Sequence, residues 1–265
     1  MLISVIVTIR NEESHIRGLL DSLVAQEGPL EIIIVDAYST DDTQPIVHGY
    51  CRTHDLISLY LQGGTRGEGR NFGIEKAKGE AVAFIDGDCV AGPDWLKEIR
   101  RDLLAGHEIV AGRTVRVGKS RFASLSRVEL FYQGVDLTYP SCNLAYRTDV
   151  VHEAGVFDTM FRTAEDIDLN YRAVKNGHKI RYNENAIVNH HERDTLGSFL
   201  KQAFWNGYGR KQLTLKHGRL WSNYSVTNMI QHDISFWYLL RTTIALLGYA
   251  TAKAREKKEA YTGSD

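Results

Sequence analysis

A chain of 265 residues, 43% hydrophobic and 25% charged, can bury a full core as one large domain or as one domain with an appendage. Its 32 basic and 33 acidic residues leave a net charge of −1, which excludes the global basic field of a nucleic-acid-binding protein. The three cysteines, Cys51, Cys89 and Cys142, are odd in number and widely spaced, which argues against a disulfide framework and a zinc site and makes a reducing cytoplasm the expected compartment.

Residues 2–8 (LISVIVT) are an apolar, β-branched run that predicts a strand, entered at once without the basic segment or cleavage site of a secretory signal. Asn11 is placed to cap the following helix, whose Ile16, Leu19, Leu20, Leu23 and Val24 repeat at helical spacing. Gly28-Pro29 stops that helix, and residues 30–36 (LEIIIVD) predict a second buried strand ending in an acid. Ser39-Thr40-Asp41-Asp42 caps a second helix with Ile46, Val47, Tyr50 and Cys51 inward, and residues 56–61 predict a third strand. Such a β-α-β-α-β run with short connections builds a mostly parallel sheet flanked by helices.

Residues 63–69 (GGTRGEG) read as a flexible, cationic loop, which either wraps phosphates with its amides or is a mobile surface loop. The chain is organised around the next strand, residues 81–85, which runs into Asp86-Gly87-Asp88. Residues two apart on a strand point the same way, so both carboxylates can converge at the strand's carboxyl edge, where open α/β sheets bind ligands. A divalent cation carrying a diphosphate would relieve their repulsion. An Asp-x-Asp arises by chance about once in a chain of this length, and Asp166-Ile167-Asp168 is a second one, so position is what singles out the first.

Beyond it, Pro93 opens a helix with Trp95, Leu96, Ile99, Leu103 and Leu104 on its apolar face, and residues 109–117 predict another strand. A helix over residues 122–132, a short strand after Ser141-Cys142-Asn143 and a helix from Glu165 to about Lys175, closed by Asn176-Gly177, follow. The acids Glu165 and Asp166 suit the first turn of that helix as simple capping chemistry. Residues 180–182 and 186–188 predict two short strands, the second ending in Asn189-His190-His191, whose imidazoles are either metal ligands or polar surface groups.

Together these stretches resemble the family 2 inverting glycosyltransferases of the GT-A fold, over roughly residues 3–210. The opening run through Thr8, Arg10, Asn11 and Glu12 is similar to the family's first strand and nucleotide loop, and Asp36 with the Ser39–Thr43 turn to its base-binding turn. Arg70-Asn71 matches its Arg-Asn motif, Asp86-Gly87-Asp88 its Asp-x-Asp, Glu165-Asp166 its Glu-Asp base motif, and His190 the histidine that completes many GT-A metal sites. The resemblance implies an α/β fold with a mixed, mostly parallel sheet, in a catalytic domain over residues 1–192 with a nucleotide half (1–118) and an acceptor half (119–192).

It also implies roles. Thr8, Arg10, Glu12, Asp36, Arg70, Asp86 and Asp88 would bind a UDP- or GDP-linked sugar, and Asp88 with His190 would hold manganese or magnesium. Asp166 would be the general base, with Asn143 and Glu165 binding the acceptor, a lipid-linked or glycan hydroxyl. Two departures stand out: Ala37-Tyr38 occupies the place of an Asp or Gly followed by Gly, and Thr8 that of a frequent proline.

Residues 193–252 form a C-terminal helical appendage. In residues 196–215, Leu196, Phe199, Leu200, Phe204 and Trp205 are flanked by basic side chains, a pattern that suits either a membrane interface or packing on the catalytic domain. Residues 236–250 are apolar apart from Arg241 and shorter than a bilayer span, so a monotopic or dimer-forming helix is expected, followed by a polar, mobile tail over 253–265. The expected location is therefore the cytoplasmic face of a membrane, without nucleic-acid partners. Rival readings are a polyprenyl-phosphate sugar synthase, a sugar-phosphate nucleotidyltransferase, which would need a glycine-rich loop where Thr8-Ile9-Arg10-Asn11-Glu12 stands, and a non-catalytic sugar-nucleotide binding module.

Overall fold

The computed structural model describes residues 1–118, 129–191, 195–218, 220 and 235–262, with 254–262 as backbone only. Strands β1 (Ile3–Ile9), β2 (Leu30–Asp36), β3 (Ile57–Leu61) and β4 (Ala81–Asp86) form a parallel half-sheet, with helices α1 (Ile16–Val24), α2 (Thr43–Cys51) and α3 (Arg66–Lys76) as crossovers. Then come β5 (Cys89–Ala91), α4 (Trp95–Leu104), β6 (Ile109–Val117), the two-residue strands β7 (Phe131–Tyr132) and β8 (Val135–Asp136), β9 (Leu144–Arg147), α5 (Thr148–Glu153), α6 (Glu165–Lys175) and β10 (Ile180–His191). The eight-stranded sheet has the order β3-β2-β1-β4-β9-β6-β10-β5, with β9 antiparallel to both neighbours and β5 antiparallel to β10.

Strand alternation sorts the core onto two faces of this sheet. Val5, Val7, Ala83 and Ile85 join Leu19, Leu20, Trp95 and Ile99 from α1 and α4, whereas Ile6, Val82 and Phe84 join Ile74 of α3, Val151 of α5 and Leu169 of α6. Asp86 therefore follows Phe84 onto the α3 and α6 face, and Asp36 follows Ile34 onto the α1 and α2 face.

Several local expectations are corrected. Asn11 does not cap α1, which begins five residues later at Ile16; in a left-handed conformation (φ 56°), its side-chain oxygen accepts instead from Thr40 N at 2.8 Å. Residues 63–69 are not a free loop, because Thr65 and Glu68 form a reciprocal capping box that starts α3 at Arg66. The helix expected over 122–132 lies outside the described residues up to 128, and Phe131 and Tyr132 belong to a hairpin turned by Gln133 and Gly134, both at positive φ. The two short strands near 180–188 are one strand, β10, whose register shifts between Asn183 and Ile187.

Two C-terminal helices, α7 (Leu196–His217) and α8 (Phe236–Thr262), pack on each other, and α8 continues as helix through the stretch expected to be a mobile tail. Their contact is backbone-close: a Cβ on Gly207 would stand 1.8 Å from Ala245 O, and one on Gly248 2.0 Å from Phe204 O.

Candidate active site

The carboxyl edges of β1, β2 and β4 carry the site. Thr8 on β1 is in register with Asp86 on β4, and Ile9 with Asp36 on β2. Helix α3 approaches this edge closely because Gly69 and Gly73 face β1; a Cβ on Gly73 would lie 2.4 Å from Ile6 Cγ2 and one on Gly69 3.1 Å from Thr8 Cγ2. That approach carries Arg70, only 2% exposed, into the interior, where Nη2 donates to Asp86 Oδ1 at 2.9 Å and Nη1 to Glu165 Oε1 at 2.7 Å. Burial alone would weaken the guanidinium's hold on its proton, but Asp86 and Glu165 outweigh it and keep Arg70 charged. Asn71 beside it clamps the backbone of Phe157, donating to its carbonyl at 2.7 Å and accepting from its N–H at 2.9 Å.

Glu165 and Asp166 open α6 after Ala164, a left-handed residue (φ 64°). Asp166 is half-buried, accepting from Ser141 N at 3.2 Å and Ile167 N at 2.9 Å. Burial, then the adjacent Glu165 charge, push its carboxyl up to about 6 against the opposing pull of Arg70 and the two N–H donors. It therefore titrates close to neutrality, as a proton acceptor should.

The second acid of the triplet lies beside β10. Strand β5 pairs antiparallel with the end of β10, aligning Cys89 with His190, and His191 N donates to Asp88 O at 3.0 Å. His190 Nε2 lies 3.4 Å from Asp88 Oδ1, and one ligand atom each from Asp88, Cys89 and His190 fall within 4.8 Å of one another. His191 turns away, its ring 5.3 Å from that of His15. The Asp88 hydrogen bond, against the opposing effect of burial, raises the His190 imidazole to about 9. Cys142 and burial raise the Cys89 thiol, and beside that soft sulfur stand a carboxylate oxygen and an imidazole nitrogen. That donor pair fits a hard divalent cation such as manganese or magnesium.

Gly87 lets the β1–α1 loop lie against the triplet, since a Cβ there would come within 2.9 Å of Glu12 Cγ. That loop is laced to the β2–α2 turn: Asn11 N donates to Ser39 Oγ and Glu12 N to Thr43 Oγ1, each at 2.8 Å. Asp36 is fully buried; Oδ1 accepts from Ser39 N at 2.6 Å, and Oδ2 has no hydrogen-bond partner. Thr8 and Glu12 are half-buried near this edge, and Arg10 is exposed. Tyr38, at φ 57°, is 58% exposed and its ring covers Gly63.

Three of the expected site residues are engaged within the protein. Asn143 is inaccessible (0% exposed) and fully engaged: Oδ1 accepts from Trp95 Nε1 at 2.8 Å while Nδ2 donates to Ala186 O at 2.9 Å and Arg113 O at 3.1 Å. It ties α4, β6 and β10 together. Glu165, 5% exposed, is the partner of Arg70. Arg70, in turn, spans Glu165 and Asp86. The Ser141 N–H and the thiol of Cys89 stand at this edge without having been singled out by residue patterns, and the Asn71 of the Arg-Asn pair proves to be a backbone clamp.

The family model of glycosyl transferase family 2 matches residues 4–166. The chain is similar to glycosyltransferase AglE of Haloferax volcanii, 26% identical over 225 residues that cover 80% of this chain and 73% of that protein. It is also similar to poly(ribitol-phosphate) β-N-acetylglucosaminyltransferase TarS of Staphylococcus aureus, 30% identical over 193 residues, 68% of this chain and 34% of that one. The structure of TarS residues 1–349 with UDP-GlcNAc superposes with a TM-score of 0.62 at 21% identity, covering 95% of this chain and 81% of that one. Mannosyltransferase PcManGT of Pyrobaculum calidifontis, solved with GDP-Man and Mn2+, superposes at 0.66 and 18% identity, over 98% and 79% of the two chains. The ordered edge of acids, the GT-A sheet and the matched family segment agree, and the chain belongs to glycosyl transferase family 2 as a glycosyltransferase of GT-A fold.

Proposed function

We propose that this protein is an inverting glycosyltransferase, dependent on manganese or magnesium, that moves a sugar from a UDP- or GDP-linked donor to a hydroxyl of a lipid-linked or glycan acceptor at the cytoplasmic face of a membrane. The observation that carries the reading is Asp166, a carboxylate raised to about 6 at a helix N-terminus and joined to the acidic edge of the sheet through Glu165, Arg70 and Asp86. At neutral pH most of it is ionised, yet it is basic enough to take a proton from an attacking hydroxyl. Attack from the face opposite the leaving diphosphate inverts the anomeric carbon in one displacement.

Asp36 Oδ2, buried and without a partner, is the acceptor for a nucleobase N–H, with Thr8, Arg10 and Glu12 on the neighbouring loop taking the rest of the nucleotide. Arg70 holds Asp86 in a fixed orientation toward ribose or sugar, and Asp88 with His190 would hold the cation. When bound, that cation supplies Lewis-acid neutralisation of the charge on the leaving diphosphate.

The membrane location is supported by α7 and α8. No helix among the described residues is long and apolar enough to cross a bilayer, but Phe236, Leu239, Leu246 and Leu247 are each more than half exposed. Residues 196–217 contain no acid, and Lys201, Arg210, Lys211, Lys216, Arg241 and Lys253 make the helical pair basic. Such a surface suits anionic headgroups around a shallow apolar insertion.

The test is turnover of UDP- and GDP-sugars with manganese in the presence of anionic vesicles, with product stereochemistry read by NMR. Release of nucleoside diphosphate with an inverted product is expected. A retained configuration, or full activity in excess chelator, would overturn the reading.

A further inference from the structure

The segment that leads to Asp166 is pinned from three sides. Arg172 of α6 donates to the carbonyls of Ala154 and Val156, Asn71 of α3 holds Phe157, and α7 takes the remainder. Lys216 Nζ lies 2.6 Å from Asp158 Oδ2, and Gln212 Nε2 donates to Met160 O at 3.1 Å. Gly209 sits directly on the left-handed turn before Glu165; a Cβ there would lie 2.7 Å from Thr163 Cγ2, 2.9 Å from Thr163 O and 3.1 Å from Ala164 Cβ.

The bolt of this assembly is Asp168, one turn into α6 and 0% exposed. Its Oδ2 accepts from Arg172 Nε at 2.8 Å and Nη2 at 2.7 Å, while Oδ1 faces Lys216 Nζ at 2.8 Å and His217 Nε2 at 2.6 Å. The His217 ring also packs on Tyr171, 4.3 Å between centroids. A fully buried carboxylate holding three basic side chains, two of them from the C-terminal helix, is far more than helix capping requires. We propose that Asp168 is a positioning residue: by clamping the end of α7 to α6 it presses Gly209 onto the 163–164 turn and aims Asp166 into the cleft.

The proposal rests on the reading of Asp166 as base, and its test separates the two. The charged and titratable groups acting on Asp166 are Glu165 on its own helix, Arg70 from α3 and Tyr146 from β9, all of which the variants leave in place. In Asp168→Asn we expect kcat to fall ~10- to 100-fold, as for a reacting group displaced by about an ångström. UDP or GDP affinity with manganese should stay within about twofold. A carbon-13 NMR titration of the Asp166 carboxyl should move from about 6 toward the ordinary carboxylate range as the opened turn admits water. Gly209→Ala, which favours the helix itself and disturbs only the seat, should act in the same direction and decides the matter if Asp168→Asn does not fold. Wild-type kcat and an unmoved Asp166 titration in both variants would overturn the clamp. If Asp166→Asn itself kept its rate, the base reading would fail, while the titration would still judge the clamp.

Discussion

Arg70 Nη1 and Glu165 Oε1 meet at 2.7 Å across 95 residues of sequence, inside the protein, and the same guanidinium reaches Asp86 with its other nitrogen. One buried cation thus joins the nucleotide edge of the sheet to the helix that carries Asp166. Removing it should leave two carboxylates unpaired. Arg70→Ala is expected to destabilise the fold by about 3 to 5 kcal/mol and to abolish nucleotide binding, with Arg70→Lys intermediate because an ammonium cannot fork to both acids. Urea denaturation and calorimetric titration with UDP and GDP check this, and a stable Arg70→Ala protein would sink it.

Asp166 should set the acid limb of activity, with kcat falling below a pH of about 6. Asp166→Asn should lose ~100- to 10,000-fold in transfer at pH 7.5 while binding nucleotide normally. Transfer within a few-fold of wild type would instead indicate an acceptor that is already ionised, as a polyprenyl phosphate is.

The same shift makes a stability statement. A carboxyl raised from 3.8 to about 6 by folding favours the folded state below pH 3.8 and loses that contribution as pH rises through 6. At pH 7.5 the ionised Asp166 is therefore a liability of up to about 3 kcal/mol, and Asp166→Asn should be more stable than wild type there. The gain should shrink toward pH 4, which a denaturation series at several pH values would show.

Asp88→Ala and His190→Ala should each weaken manganese binding ~10- to 100-fold without unfolding the protein, whereas His191→Ala, whose ring packs on His15, should leave it within about twofold. Paramagnetic titration of the free protein is the direct measurement. Unchanged affinity in Asp88→Ala would remove this pair as the cation site.

Asn143→Ala should behave as a core lesion. The Trp95 N–H and the Ala186 and Arg113 carbonyls would lose their partner, at about 1 to 3 kcal/mol for each group left buried and unsatisfied. The acceptor KM of the folded fraction should not change; a raised KM at wild-type stability would restore Asn143 to the acceptor site.

What the sequence determined by itself was the scaffold and the sheet edge that carries the acids. Runs such as residues 30–36 and 81–85 have one stable solution, a strand buried on both faces, and an acid at the end of such a strand must emerge at the carboxyl edge. Asp36, Asp86 and Asp88 were legible for that reason, as was the helix opening at Glu165. Partnership was decided only by the tertiary structure. Arg70 and Asn143 spend their polar atoms on residues distant in the chain, as Asp168 does with Oδ1, and nothing local to Asn143 says that Trp95 and Ala186 will engage its amide. Gly69 reads as part of a flexible loop in one dimension; in three, Gly69, Gly73 and Gly209 are the places where a helix approaches a strand, or a turn, too closely for a side chain. Local sequence sets backbone periodicity, whereas hydrogen-bond satisfaction in the interior is a property of the assembled fold.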